Sequence, residues 1–136
     1  MYVKPLLLLT YIFILVTIAL PVAAHKPQVI DSNITCVSNP TISKVYYGTL
    51  SGEPHVYTID ATELFELYVG ILMPYFADAT KDVRAVVRLG DEVVATVGGE
   101  GTEWKMMFEY FGQSNYWNGG DFKQSVAAGG IHCYCL

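Results

Sequence analysis

The sequence predicts an all-β fold, an antiparallel β-sandwich of jelly-roll type, and three observations predict it. Apolar residues recur at every second position in one short segment after another, turn residues separate the segments, and no amphipathic helix intervenes. An α/β enzyme needs helices between its strands, so that class is set aside. With 136 residues the chain has room for one domain.

A signal-peptide helix is expected ahead of the domain. Met1 to Pro5 carries one charge, Lys4; an apolar run from Leu6 to Leu20, broken only by Thr10 and Thr17, follows; Pro21-Val22-Ala23-Ala24 then supplies a break and small residues. That order matches a secretory signal over residues 1–24, cleaved between Ala24 and His25. Left uncleaved, Leu6 to Ala24 is long enough to anchor the chain in a bilayer, and then the membrane is touched through this segment alone. Both readings put the remainder outside the cytoplasm: secreted, periplasmic or on the cell surface.

Residues 25–41 mix Pro, Ser, Asn and Asp without periodicity and read as an exposed lead-in. The sandwich is expected over 42–130. Ile42 to Leu50 and His55 to Asp60 flank Ser51-Gly52-Glu53-Pro54 and read as a hairpin. Phe65, Leu67, Val69, Ile71 and Met73 alternate, and Gly70, Pro74 and the β-branched content favour a strand over a helix from Ala61 to Met73. Val83, Ala85, Val87 and Leu89 give the next strand; Gly90-Asp91 turns into Val93, Ala95 and Val97, and Gly98-Gly99-Glu100-Gly101 ends it. Trp104, Met106, Phe108 and Tyr110 point inward by the same alternation, with Glu103, Lys105 and Glu109 outward. Consecutive strands in this style predict a β-meander.

In this order the residues resemble the bacterial pre-peptidase C-terminal domains, small extracellular sandwiches appended to secreted proteins. Gly48-Thr49-Leu50-Ser51-Gly52-Glu53-Pro54-His55-Val56-Tyr57 is similar to the family's opening turn and strand, and Val126-Ala127-Ala128-Gly129 to the start of its closing strand. The resemblance spans about Ile42 to Gly129 and implies a non-catalytic accessory module. Where the family carries two acids in the opening turn, Glu53 and His55 stand instead, so no calcium role for that turn carries over.

The tail, 131–136, is read as irregular. Shifting the codons of Gly130 to Cys135 by one base forces a β-like sequence whatever the synonymous choices. The expectation is therefore a frame shift near Gly130 and a lost closing strand, with an open sheet edge as the result.

Charge and motifs exclude several functions. Eight Lys+Arg against thirteen Asp+Glu give a net charge of −5, and no basic cluster marks a nucleic-acid partner. His25, His55 and His132 lie apart in sequence, no hydrolase motif accompanies them, and His55 reads as a solvated turn residue; no catalytic residue is expected. Gly119-Gly120-Asp121-Phe122 has a cyclase-like look but lacks the second acid and the alternating helices of that fold. Cys36, Cys133 and Cys135 are an odd number, so one disulfide from Cys36 is the most they allow with it. No cofactor is expected other than Ca²⁺, for which Asp78, Asp82, Asp91 and Glu92, acids that flank one pair of strands, are the candidate ligands. The candidate binding residues are aromatic: Tyr110, Phe111, Tyr116, Trp117 and Phe122 surround a loop rich in Gly, Asn and Ser. They suit a protein partner or, if Trp117 lies exposed in a planar row, a carbohydrate at the cell surface.

Cleavage after Ala24 predicts a mature chain beginning at His25, which mass spectrometry of the exported protein reads directly. A mass that retains Met1 to Ala24 establishes the anchor instead.

Overall fold

The computed structural model describes residues 26–110 and 112–136; the expected signal segment, with Ala24 and His25, and Phe111 lie outside them. The described chain is all-β, with ten strands. These are β1 (Lys26–Val29), β2 (Ile34–Cys36), β3 (Lys44–Tyr47), β4 (His55–Ala61), β5 (Phe65–Pro74), β6 (Arg84–Leu89), β7 (Glu92–Gly98), β8 (Lys105–Glu109), β9 (Ser114–Val126) and β10 (Gly129–Cys135). None of the described residues forms a helix able to cross a membrane.

One long antiparallel ribbon organises the strands. β4 and β5 form one arm, β10 and β9 the other: Ala61 pairs with Gly129 on one side of a corner, and Phe65 with Val126 on the other. At the corner, Thr62-Glu63-Leu64 and Ala127-Ala128 carry both arms from one sheet into the next. The first sheet has the order β2-β4-β10-β6-β7, the second β5-β9-β8, and β1 pairs with β3 beside them. Inward residues of both sheets meet in one core: Ile59, Ala61, Phe65, Leu67, Ile71, Ala85, Val87, Val97, Val126, Ile131 and Cys133. Val87 is wholly buried, and each such side chain stabilises the fold by about 1.5–3 kcal/mol.

Several expectations are corrected. The tail is a strand as it stands: β10 lies between β4 and β6, Ile131 and Cys133 enter the core, and Arg84 and Leu136 exchange backbone hydrogen bonds at 2.8 and 2.9 Å. The central strand is thus the Gly129–Cys135 segment as it stands in the sequence, and the place expected to be empty is filled. Its inward positions alternate, but Gly129-Gly130 and two cysteines disguise them.

The arrangement is not a meander, because β10 separates β4 from β6 and β5 crosses to β9. Nor do the third and fourth strands form a hairpin. β3 is confined to Lys44–Tyr47 and runs parallel to β1, while β4 takes β2 and β10 as neighbours. The lead-in accordingly contains two strands, β1 parallel to β3 in a sheet of two and β2 parallel to β4 at an edge of the first sheet, so the sheets are not wholly antiparallel. Its polar composition reflects one-sided exposure rather than lack of structure. Val93, expected inward, is 50% exposed because the register slips between Val87 and Arg88, and a one-residue slip reverses the faces.

A second irregularity lies in β9. Gly70 pairs with Asp121 and Leu72 with Asn118, so Ile71 faces both Gly119 and Gly120, a bulge. Gly120 holds φ +94°, with its N–H donating to Asn118 Oδ1 at 2.8 Å. Gly119 has a different task. A Cβ there would lie 2.7 Å from Ile71 Cγ2 and equally near the Trp104 ring, and one on Gly98 would meet the same Ile71 at 2.9 Å. Trp104 Nε1 donates to the Gly99 carbonyl at 3.3 Å, which fixes the indole in that gap. Gly119→Ala therefore overpacks the junction and costs about 1–3 kcal/mol. Thermal denaturation should show a fall of about 4 °C or more; an unchanged melting temperature would show that the indole is free to move aside.

Candidate functional site

The corner of the ribbon closes one end of the core, and the opposite end of the three-stranded sheet carries the aromatic residues. There β9 runs between β5 and β8, placing Trp117 between Met73 and Met106, and Tyr116 between Pro74 and Met107. After Pro74 the chain turns back over this end: Tyr75 N donates to the Asn115 carbonyl at 3.1 Å and Ala79 N to the Phe76 carbonyl at 3.3 Å. Tyr75 lies against Trp117 with centroids 4.9 Å apart, and Lys81 Nζ stands 3.5 Å from the Trp117 ring centre. That distance suits a cation–π contact. Trp117 Nε1 is buried without a hydrogen-bond partner, so the indole is held by ring contacts rather than by its polar edge. Pro74, Tyr75, Phe76, Ser114, Asn115 and Tyr116 line a shallow groove of about 330 Å³.

The expected aromatic row is therefore only partly assembled. Trp117 is half-buried, with Lys81 over its ring and Tyr75 beside it, and presents no flat open platform. Phe122 packs against the core opposite Val69, away from the groove. Tyr116 is half-buried beside Tyr47, whose phenol is pushed up by burial and then by Tyr116 and Glu109. Tyr110 is 76% exposed and edge-on to Phe108, 5.1 Å away. Tyr110, Met106 (61% exposed) and Phe108 (43%) are corrections to the inward assignment. Alternation does put them on the Trp104 side, but β9 is β8's one substantial strand neighbour among the described residues, and none of these forms a second layer over them. Sequence reasoning missed Tyr75, Phe76 and Lys81. The available signal was an aromatic pair directly after a strand-ending proline.

The four acids do not share a site. Asp78 and Asp82 precede β6 while Asp91 and Glu92 follow it, and six strand residues span about 20 Å. The expected Ca²⁺ cluster is thus not assembled, and among the described residues no three His, Cys, Asp or Glu side chains converge as metal ligands.

The five-stranded sheet holds the remaining titratable groups. His55 is buried, not solvated: it begins β4, and its ring lies beneath Gly48, where a Cβ would approach Cε1 to 3.3 Å. Cys133 and Cys135 share the inward face of β10. The hydrogen bond between them raises the Cys133 thiol, which burial raises further, and lowers Cys135, against the upward effect of its own burial. Cys36 lies on β2, with β4 between it and β10, so two strand spacings of about 10 Å separate them and no disulfide can close. All three thiols are free, and Cys36 accepts a hydrogen bond from Thr58 Oγ1 at 3.4 Å. Tyr57 pairs with Cys133 across the strands and stacks obliquely on Tyr46, centroids 5.2 Å apart.

Comparison with protein-family models, with curated proteins and with solved structures returns no match to this chain.

Burial, and then the two neighbouring thiols, raise the Tyr57 phenol above its ordinary value of 10.0. A raised folded-state value favours the neutral form, so this contribution is complete below pH 10.0 and declines as pH rises past it. Denaturant titrations should show wild type losing more stability than Tyr57→Phe between about pH 9 and about pH 11. Parallel pH profiles would mean that the phenol is equally free in both states.

Proposed function

We propose that this chain is a non-catalytic, exported binding module, a jelly-roll-like sandwich that takes a protein partner at its aromatic end. The observation that carries the reading is the uncovered apolar surface there: Phe76, Met106, Phe108 and Tyr110 are all exposed beside the Tyr75 groove. Aromatic and methionine side chains are the types enriched at interface centres. The 1–24 segment supports export, to the cell surface, the periplasm or the medium. The likeness to pre-peptidase C-terminal domains agrees with an accessory role.

A protein partner is favoured over a carbohydrate by Trp117. Sugar stacking needs an open ring face, and Lys81 stands over this one. The exposed rings of Phe76 and Tyr110 are better suited to enter pockets on a partner.

Fluorescently labelled chain should bind intact cells of the producing organism. Phe76→Ser together with Tyr110→Ser should weaken that binding about tenfold or more, each lost ring contributing roughly 1–2 kcal/mol. Prior protease treatment of the cells should abolish it and glycosidase treatment should not. The opposite pattern of enzyme sensitivity would move the reading to carbohydrate, and binding indifferent to both substitutions would sink the aromatic site.

A further inference from the structure

β8 is an edge strand: β9 pairs with one side, and its other side has no strand partner among the described residues. Open edges of this kind template a further strand. The sequence of β8, Lys-Met-Met-Phe-Glu, is complementary to itself when two copies run antiparallel. Centred on Met107, the pairing sets Lys105 opposite Glu109 of the second copy and Met106 opposite Phe108, and symmetry repeats both. A parallel in-register pairing would instead oppose Lys to Lys and Glu to Glu.

We propose that β8 pairs antiparallel with β8 of a second copy of this chain, about a two-fold axis at Met107, joining two three-stranded sheets into one. The contact is isologous, as two-fold symmetry requires. It covers Met106 and Phe108, which the chain leaves exposed by itself. Lys105 Nζ stands 3.9 Å from Glu103 with both side chains largely in water, a weak contact that a cross-strand carboxylate readily replaces. Glu109 accepts the Gly112 N–H through Oε2, and a carboxylate takes several donors at once.

The other edges lack this complementarity. Antiparallel self-pairing of β7 would oppose Glu92 to Gly98, and that of β5 would oppose Glu66, already 3.1 Å from Lys123, to Met73. β2 has three residues only. The inference goes beyond the binding-module reading and does not rest on it: the dimer takes Met106 and Phe108 and leaves the exposed Phe76 and Tyr110 rings for a partner.

Sedimentation equilibrium tests it on the full chain in mild detergent, which keeps the Leu6–Leu20 run from contributing. Wild type should form a dimer that weakens with salt. Lys105→Glu should weaken association about tenfold or more, because it turns two attractive pairs into repulsive ones, and Lys105→Glu with Glu109→Lys should restore it. Register is read in a Cys36→Ser background. Met107→Cys meets its own symmetry mate and should cross-link under mild oxidation, whereas Lys105→Cys faces position 109 and should not. A wild-type chain that stays monomeric, an association untouched by Lys105→Glu, or cross-linking through position 105 rather than 107 overturns the proposal. If the double variant does not fold, the position-107 cross-link decides. Because Phe76 and Tyr110 lie outside β8, loss of cell binding in their variants with dimerisation intact would bear on the module reading alone.

Discussion

Everything else in the structure depends on the pairing of β10 with β4, which makes one ribbon of two distant pieces of chain. That ribbon bends at Thr62–Leu64 and Ala127–Ala128, so the same two arms supply strands to both main sheets. A shared core follows from the bend, since side chains on the inside of the fold are brought face to face: Ile59 and Ile131 from one sheet, Leu67 and Val126 from the other. β6 and β7 then extend β10, and β8 extends β9.

Where the layers stop facing one another, the chemistry of the surface changes. Trp104 fills the junction with Ile71, Gly98 and Gly119, and past this plug the inner side of β8 meets water. The exposed Met106 and Phe108 therefore continue a core-facing row beyond the end of its cover. This explains why residues with the composition of an interior lie at the surface, next to a groove built by the return of the chain after Pro74.

The fold class was legible because buried faces demand alternation, and β5 and β6 display it without interruption. Pairing was less legible. Register slips hide it: the slip opposite Arg88 turns Val93 outward, and the Gly119-Gly120 bulge interrupts β9. β10 was misread because glycines and cysteines carry a weak hydrophobic signal, although Cys133 occupies a core position as well as a valine would. For the site, Trp117 and Tyr110 were identified as residues of interest, but alternation alone cannot tell a covered inner face from an uncovered one. Lys81 escaped notice because its contact with Trp117 depends on the path of a loop.

The position of β10 also governs when the fold can close. β4 and β6 are made long before the strand that separates them, and until residues 129–135 arrive each presents an unfilled edge toward the other. Contacts so distant in sequence make folding slow. The interlock is supplied only after the nine earlier strands of the described residues have been made, so a nascent chain stopped short of Gly129 holds β4 and β6 without the neighbour they share.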